Sequence, residues 1–201
     1  MKKRKRISKA PDVRREELVQ AAAVLFSEKG IAATGIGDIT DRSEVARGTF
    51  YLYFASKDEV VAELWQRYVA GFMSLADGLL EDSQGLAQGP LILDLLVRLT
   101  EHALDHAHLH RLIYGTADAS AIALCRQSDQ AILERLTGVI SRYFTVLGRK
   151  VNAELFASFL YHSLDGALHN AIMKNEPVDR ATFINGVKQF AVHALEINVV
   201  P

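Results

Sequence analysis

The 201-residue chain has 49% apolar and 23% charged side chains, which suits one large or two modest folded domains and excludes a disordered or collagen-like polymer. Its net charge of −1 conceals an asymmetry: residues 1–60 hold 12 Lys and Arg against 9 Asp and Glu, and the remainder 11 against 15. A basic front on a mildly acidic body is the balance of a nucleic-acid reader with a second function, or of a body with a solvated basic tail.

In chain order, residues 1–11 read as a basic arm; no apolar stretch follows it, so it is not a secretion signal. Asp12 can cap a first helix whose Leu18, Ala22, Leu25 and Phe26 share one face, and Gly30 can end it. Two short helical segments, 36–42 and 47–54, flank a tight break. Ser56 and Glu59 have capping-box spacing and open a long helix through Val60, Leu64, Tyr68 and Phe72. Residues 83–89 read as a loop, and Pro90 starts a fifth helix running through Leu95, Leu99 and His102 to about His110, followed by a short piece around Tyr114. Three more helices are predicted: 119–147, closed by Gly148; one capped by Asn152 and running to about 174; and one capped by Asp179 and running through Leu195. No strand-like alternation, phosphate-binding glycine loop, internal repeat or membrane-length apolar run occurs. The fold class is therefore all-α, about nine helices, with an N-terminal unit at 12–60 and a helical body at 61–201.

Segments 36–42 and 47–54 have the lengths of a helix-turn-helix. Ile39, Val45 and Phe50 can pack its angle against the first helix, which leaves Arg47, Thr49, Tyr51 and Tyr53 facing outward. Arginine reads guanine edges or holds phosphate, and hydroxyls bond phosphates and bases. Lys57, in the first turn of the next helix, can hold a backbone phosphate together with the free N–H groups there.

The run Leu25-Phe26…Gly30…Thr34…Ile39…Val45…Arg47-Gly48-Thr49-Phe50-Tyr51-Leu52-Tyr53-Phe54…Ser56-Lys57 resembles the DNA-binding domain of TetR-family repressors over about residues 13–60. The resemblance implies a ligand-responsive repressor, a homodimer on palindromic double-stranded operator DNA, released by a small-molecule effector. It further implies an effector pocket among the middle helices and dimerisation through the last two. Tyr51 and Lys57 would contact phosphates, and Arg47 and Thr49 would lie nearer the bases. Thr34, Tyr53 and the arm's Lys3, Arg4 and Lys5 complete the candidate DNA contacts. Four positions depart from the family pattern: Gly35 in place of a hydroxyl residue, Gly37 within the second helix, Glu44 where the turn has glycine, and Ala46 in place of a Ser or Thr cap. These weaken both helices and put an acid near a phosphate-facing turn.

For the effector pocket the candidates are Tyr68 and Phe72, His102 and His106, and Tyr161, His162 and Asp165. His102, His106 and His110 recur every four residues, with Asp105 beside them. That pattern allows one chelated metal, polar anchors for an organic ligand, or a solvated face. No closed ligand set is visible, so neither metal nor cofactor is expected. Trp65 and Met73 join Tyr68 and Phe72 in an aromatic stripe that fits plain core as well as a pocket wall. Phe156, Phe159, Leu160, Leu164, Leu168 and Ile172, then Phe183, Val187, Phe190 and Ala194, give two apolar stripes with small residues between them. These suit an intersubunit four-helix bundle or the subunit's own core. Lone Cys125 excludes an internal disulfide and fits the cytoplasm; it reads as an inert buried thiol or an oxidant sensor. With no nucleophile elbow, His-Glu-x-x-His or paired-glycine fingerprint, an enzyme is not expected. The alternatives are a helical small-molecule binder or enzyme without DNA binding, and a protein-binding adaptor whose residues 2–6 act as a localisation tag.

Overall fold

A computed structural model describes residues 10–82, 89–174 and 176–197, so the arm with Lys3, Arg4 and Lys5, and all but Gly89 of the loop expected at 83–89, lie outside the described residues. Among the described residues there are nine α-helices and no strand: α1 (Pro11–Lys29), α2 (Ile36–Arg42), α3 (Arg47–Phe50), α4 (Lys57–Asp82), α5 (Gly89–Asp105), α6 (Ala107–Thr116), α7 (Ala119–Val146), α8 (Ala153–Met173) and α9 (Arg180–Leu195). None is long and apolar enough to cross a membrane.

Helix ends follow local chemistry. Helix α1 begins one residue before Asp12, with Pro11 in its first turn and Ala10 as a cap without a side-chain bond; Asp12 only complements the helix dipole. Gly30 ends it at φ +83°. The box at α4 is staggered, since Ser56 Oγ accepts from Glu59 N at 3.3 Å while Glu59 reaches Ala55 N at 2.7 Å. Asp118, Asn152 and Asp179 cap α7, α8 and α9 through side-chain oxygens.

Three expectations are corrected. The recognition helix is one turn, residues 47–50, and residues 51–53 continue only as turns. The helix expected from Pro90 to His110 breaks at His106, whose backbone leaves the helical region at φ −101° and ψ 19°. No proline or glycine marks that break. His106 Nδ1 donates to the His102 carbonyl at 2.8 Å, and α6 restarts at an angle that brings it against α8. The apolar stripes also divide. Leu160, Leu164, Leu168, Ile172 and Val187 are buried in the subunit's own core, whereas Phe159 is 67% and Phe190 43% exposed.

One continuous apolar core runs from Leu18, Phe26, Ile39 and Phe50 through Val60, Trp65 and Phe72 on α4 to Ile140 and Leu195. Each such side chain stabilises the fold by about 1.5–3 kcal/mol through lost water contact. Because α4 packs on α1 at one end and on α7 along its length, it joins the N-terminal unit rigidly to the body. Gly89 lets α5 approach the chain end: a Cβ there would lie 2.5 Å from Ile197 Cγ2.

Candidate functional site

The hinge between α2 and α3 is built on buried Ile39 and Phe50, with Val45 half-buried beside them. Its turn is a Schellman closure, with Glu44 N donating to Asp41 O at 3.1 Å and Val45 N to Thr40 O at 2.9 Å. Glu44 occupies the left-handed position of that motif at φ +53°, which explains why glycine is the usual residue there. Ala46 has extended backbone and no side-chain cap. Gly35 likewise offers α2 no side-chain oxygen, although its N–H donates to Asp38 Oδ2 at 2.8 Å.

Arg47 and Tyr51 are exposed, whereas Thr49 and Tyr53 are half-buried, and Tyr53 packs partly against the core. The Arg47 guanidinium lies across the start of α2, where a Cβ on Gly37 would sit 3.3 Å from Nη2. Leu52, absent from the sequence-based set, is 79% exposed because the chain has left the helical phase. Thr34 requires correction. It is 1% exposed, and its hydroxyl donates to Gly30 O at 2.8 Å, so the side chain serves the turn and does not reach the outer face. Lys57 also has a structural role, since its Nζ donates to Ile31 O at 2.7 Å and Thr34 O at 3.0 Å. Two of its three ammonium donors therefore hold the α1–α2 loop. The same loop is tied to the body, with Ile31 N donating to Thr116 Oγ1 at 3.1 Å at the end of α6.

Within the body lie two adjoining spaces. An inner apolar cavity of about 40 Å³ is lined by Trp65, Tyr68, Phe72, His110 and aliphatic side chains of α5, α7 and α8. An outer cleft of about 540 Å³ is lined by Tyr114, Arg126, Gln130, His162, His169 and Asn170. Asp129, Tyr161 and Asp165 line both and form the throat between them. Of the expected residues, Tyr68, Phe72, Tyr161, His162 and Asp165 thus meet a cavity. His102 and His106 line neither of these two spaces. The His102 ring stacks on Tyr68 with centroids 4.9 Å apart, and its Nε2 donates to Tyr68 O at 3.0 Å, so this pair supports the wall from behind. His110 instead shares a hydrogen bond with His169 at 3.0 Å, and burial with His169 alongside pushes its pKa down to about 4. No three His, Cys, Asp or Glu side chains among the described residues group as metal ligands. Cys125 is buried, which pushes its thiol up to about 12 and leaves no thiolate to oxidise.

Asp129 escaped the sequence-based set, yet it interrupts the buried α7 stripe of Cys125, Ile132 and Leu136 at helical spacing. Its Oδ1 accepts from Trp65 Nε1 at 3.2 Å, and burial pushes its pKa up to about 6 from an ordinary 3.8. Between those values the folded protein holds more protons than the unfolded chain, so this group's contribution to stability is lost as pH rises to about 6. Asp129→Asn keeps the acceptor and removes the charge. It should raise the urea-unfolding free energy at pH 7.5 by about 1–2 kcal/mol, with the gain vanishing near pH 4. His110 titrates in an overlapping window with opposite sign but is common to both proteins, so the difference isolates Asp129. A gain independent of pH would refute the charge-burial account.

Residues 18–64 match the family model for bacterial regulatory proteins of the tetR family. Over 110 residues the chain is 34% identical to the HTH-type transcriptional repressor KstR2 of Mycobacterium tuberculosis, covering 54% of this chain and 53% of the repressor. It thus spans about half the length of the curated relatives it matches. Its fold is similar to that of the transcriptional regulator FadR of Bacillus subtilis in complex with stearoyl-CoA, with a TM-score of 0.67, 17% identity, and coverage of 89% of this chain and 98% of that one. It is similar also to NalD, the secondary repressor of the MexAB-OprM multidrug efflux pump in Pseudomonas aeruginosa, with a TM-score of 0.69, 17% identity, and coverage of 92% and 98%. Residues 18–64 of this chain are thus similar to bacterial regulatory proteins of the tetR family.

Proposed function

We propose that the protein is a ligand-responsive transcriptional repressor that holds a palindromic operator as a homodimer and is released by a small-molecule effector. The observation that carries this reading is the hinge within the matched segment, which presents Arg47 and Tyr51 to solvent from a rigid apolar base. Residues 12–60 act as the DNA-binding unit, residues 61–201 hold the effector and the partner subunit, and the arm adds phosphate contacts. The reading puts the protein in the cytoplasm and gives it no catalytic role. Support for an effector comes from the cleft, whose volume falls in the usual range for ligand sites, and from FadR, which holds stearoyl-CoA in a similar fold. Support for the dimer comes from Leu155, Phe159 and Phe190, all exposed, and from Gly166 and Gly186, whose added Cβ atoms would meet nothing within the subunit. A route between the sites runs along α6: Tyr114 lines the cleft, and Thr116 two residues on holds Ile31, which Lys57 also holds. Ligand that shifts α6 would move the α1–α2 loop and thereby the recognition turn.

The test is footprinting and gel-shift binding on the DNA upstream of the protein's own gene. Arg47→Ala should weaken binding and relax sequence preference by about 1–3 kcal/mol, as loss of a bidentate base contact does. Tyr51→Phe should weaken binding without changing preference. Lys57→Ala is a poor probe because it also opens the loop clamp. If both variants hold that DNA as tightly as wild type, the contact assignment is wrong.

A further inference from the structure

The throat between the two cavities carries a charge arrangement that the repressor reading does not explain. Asp129 and Asp165 both face it, from α7 and α8 respectively, and Asp165 also opens onto the outer cleft. Asp129 accepts one hydrogen bond, from Trp65. Asp165 is exposed and has no hydrogen bond or ion pair among the described residues, and Arg126, on the outer cleft, forms no ion pair with either carboxylate, although its charge favours the ionised form of both. Tyr161 lines both spaces with them, is only 8% exposed, and its hydroxyl has no hydrogen-bond partner among the described residues. An unpartnered hydroxyl on a cleft wall, beside carboxylates with free lone pairs, offers a group of acceptors to a cationic donor.

The surrounding groups define the complement. Trp65 and Tyr68 are 4.7 Å apart between ring centroids, and Trp65 and Tyr114 are 5.8 Å apart, so an aromatic cluster adjoins the carboxylates, with the Trp65 Nε1–H edge on Asp129. Burial first, and then the field of Asp129 and Asp165, opposes ionisation of Tyr68, Tyr114 and Tyr161, so all three lie near the same two carboxylates. His110, the imidazole nearest the inner cavity, is held neutral and supplies no countercharge. The inner cavity has room for a methyl-sized group and is apolar, and the outer cleft admits a larger polar body.

We propose that Asp129, Asp165 and Tyr161 form the recognition centre for an organic cation, an amine or quaternary ammonium compound with a compact apolar group, bound at the throat between the two cavities. The inference rests on the reading of the body as the effector-binding part, and it specifies the chemistry of that site. The cationic centre lies between the carboxylates, the Tyr161 oxygen accepts from the N–H of the ligand where it is a protonated amine, and the aromatic cluster of Trp65 and Tyr114 borders its apolar group. An anionic headgroup is disfavoured at this throat, where it would meet two like charges.

Trp65 is the sole tryptophan and hydrogen-bonds the throat, so its emission reports occupancy without any need for DNA. Full-length protein at pH 7.5 is titrated with 2-phenylethylammonium, with 2-phenylethanol as the neutral counterpart and phenylacetate as the anionic one, and heats are measured in parallel. The expected result is a saturable change with the cation, at an affinity at least about tenfold above that of either counterpart. Asp165→Asn and Asp129→Asn should each remove most of that preference while leaving 2-phenylethanol unchanged; the asparagine at 129 still accepts from Trp65, and circular dichroism checks folding. Equal or tighter binding of phenylacetate, no response to the cation at millimolar concentration, or an undiminished preference in both variants overturns the proposal. Operator binding by the ligand-free protein is measured separately. Failure there counts against the regulator reading and leaves the Trp65 titration to decide on the cation.

Discussion

Arginine in place of Ala167 is expected to split the proposed homodimer and leave a folded monomer. Ala167 is exposed on α8, as are Leu155 and Phe159, at 51% and 67%. An alanine there touches nothing that the subunit's own core requires, so thermal unfolding of the monomer should change little. In a two-fold interface the substitution enters twice, and each guanidinium would be buried against apolar surface without a partner. A charge left unpaired in this way costs about 3–5 kcal/mol, which weakens association by two orders of magnitude or more. Sedimentation across a concentration series reads the result directly, with exposed Gln66→Arg on α4 as a matched control for added charge. A variant that remains dimeric at micromolar concentration would move the interface to another face.

The ambiguity that this experiment resolves was present in the sequence. Phe159 and Leu160 are neighbours of equal hydrophobicity, and periodicity alone assigns both to one broad stripe; only the packing of α8 on α7 separates the buried Leu160 from the exposed Phe159. Helices whose ends carry a capping side chain, such as α7, α8 and α9, were legible to within a residue or two, since Asp118, Asn152 and Asp179 bond the first turn locally. The break at His106 was not, because no residue there is a helix breaker and the cause lies in contacts of α6 with α8. The hinge was legible from its apolar base, but Thr34 was misplaced because a threonine hydroxyl serves a buried turn as well as it serves a phosphate. Half of the cavity wall was legible as aromatic spacing on α4. Asp129 could have been found as the one acid within the buried face of α7, whereas the pairing of His110 with His169 joins residues 59 apart and has no local signature.

Repairing the two irregular positions of the hinge should tighten operator binding by up to about a hundredfold. Ala46 precedes a recognition helix of only four residues, has backbone at φ −72° and ψ 147°, the conformation of an N-cap, and supplies no oxygen to the first turn. Serine at such a position stabilises a helix by about 0.5–2 kcal/mol relative to alanine. Glu44, two residues earlier, sits in the left-handed region, where a side chain costs about 1–2 kcal/mol and glycine costs little. The turn is nevertheless closed by both Schellman hydrogen bonds, so the cost falls on the stability of the hinge and not on its geometry. The recognition turn in free protein should therefore open often, and DNA binding should supply part of its ordering energy. Ala46→Ser is expected to slow amide exchange across residues 47–53 about tenfold and to tighten each half-site by a similar factor if about 1.4 kcal/mol of ordering is removed; two half-sites give the larger figure. Glu44→Gly should add to protection and also remove an exposed negative charge near the phosphates, so its share of the affinity gain should shrink at high salt while that of Ala46→Ser should not. The two positions are close enough to couple, and the double variant measures by how much. The competing account is a hinge already fully formed in the free protein. Exchange at residues 47–53 as slow in wild type as in the core of α7, and unmoved by either substitution, would establish that account and assign whatever affinity change remained to charge alone.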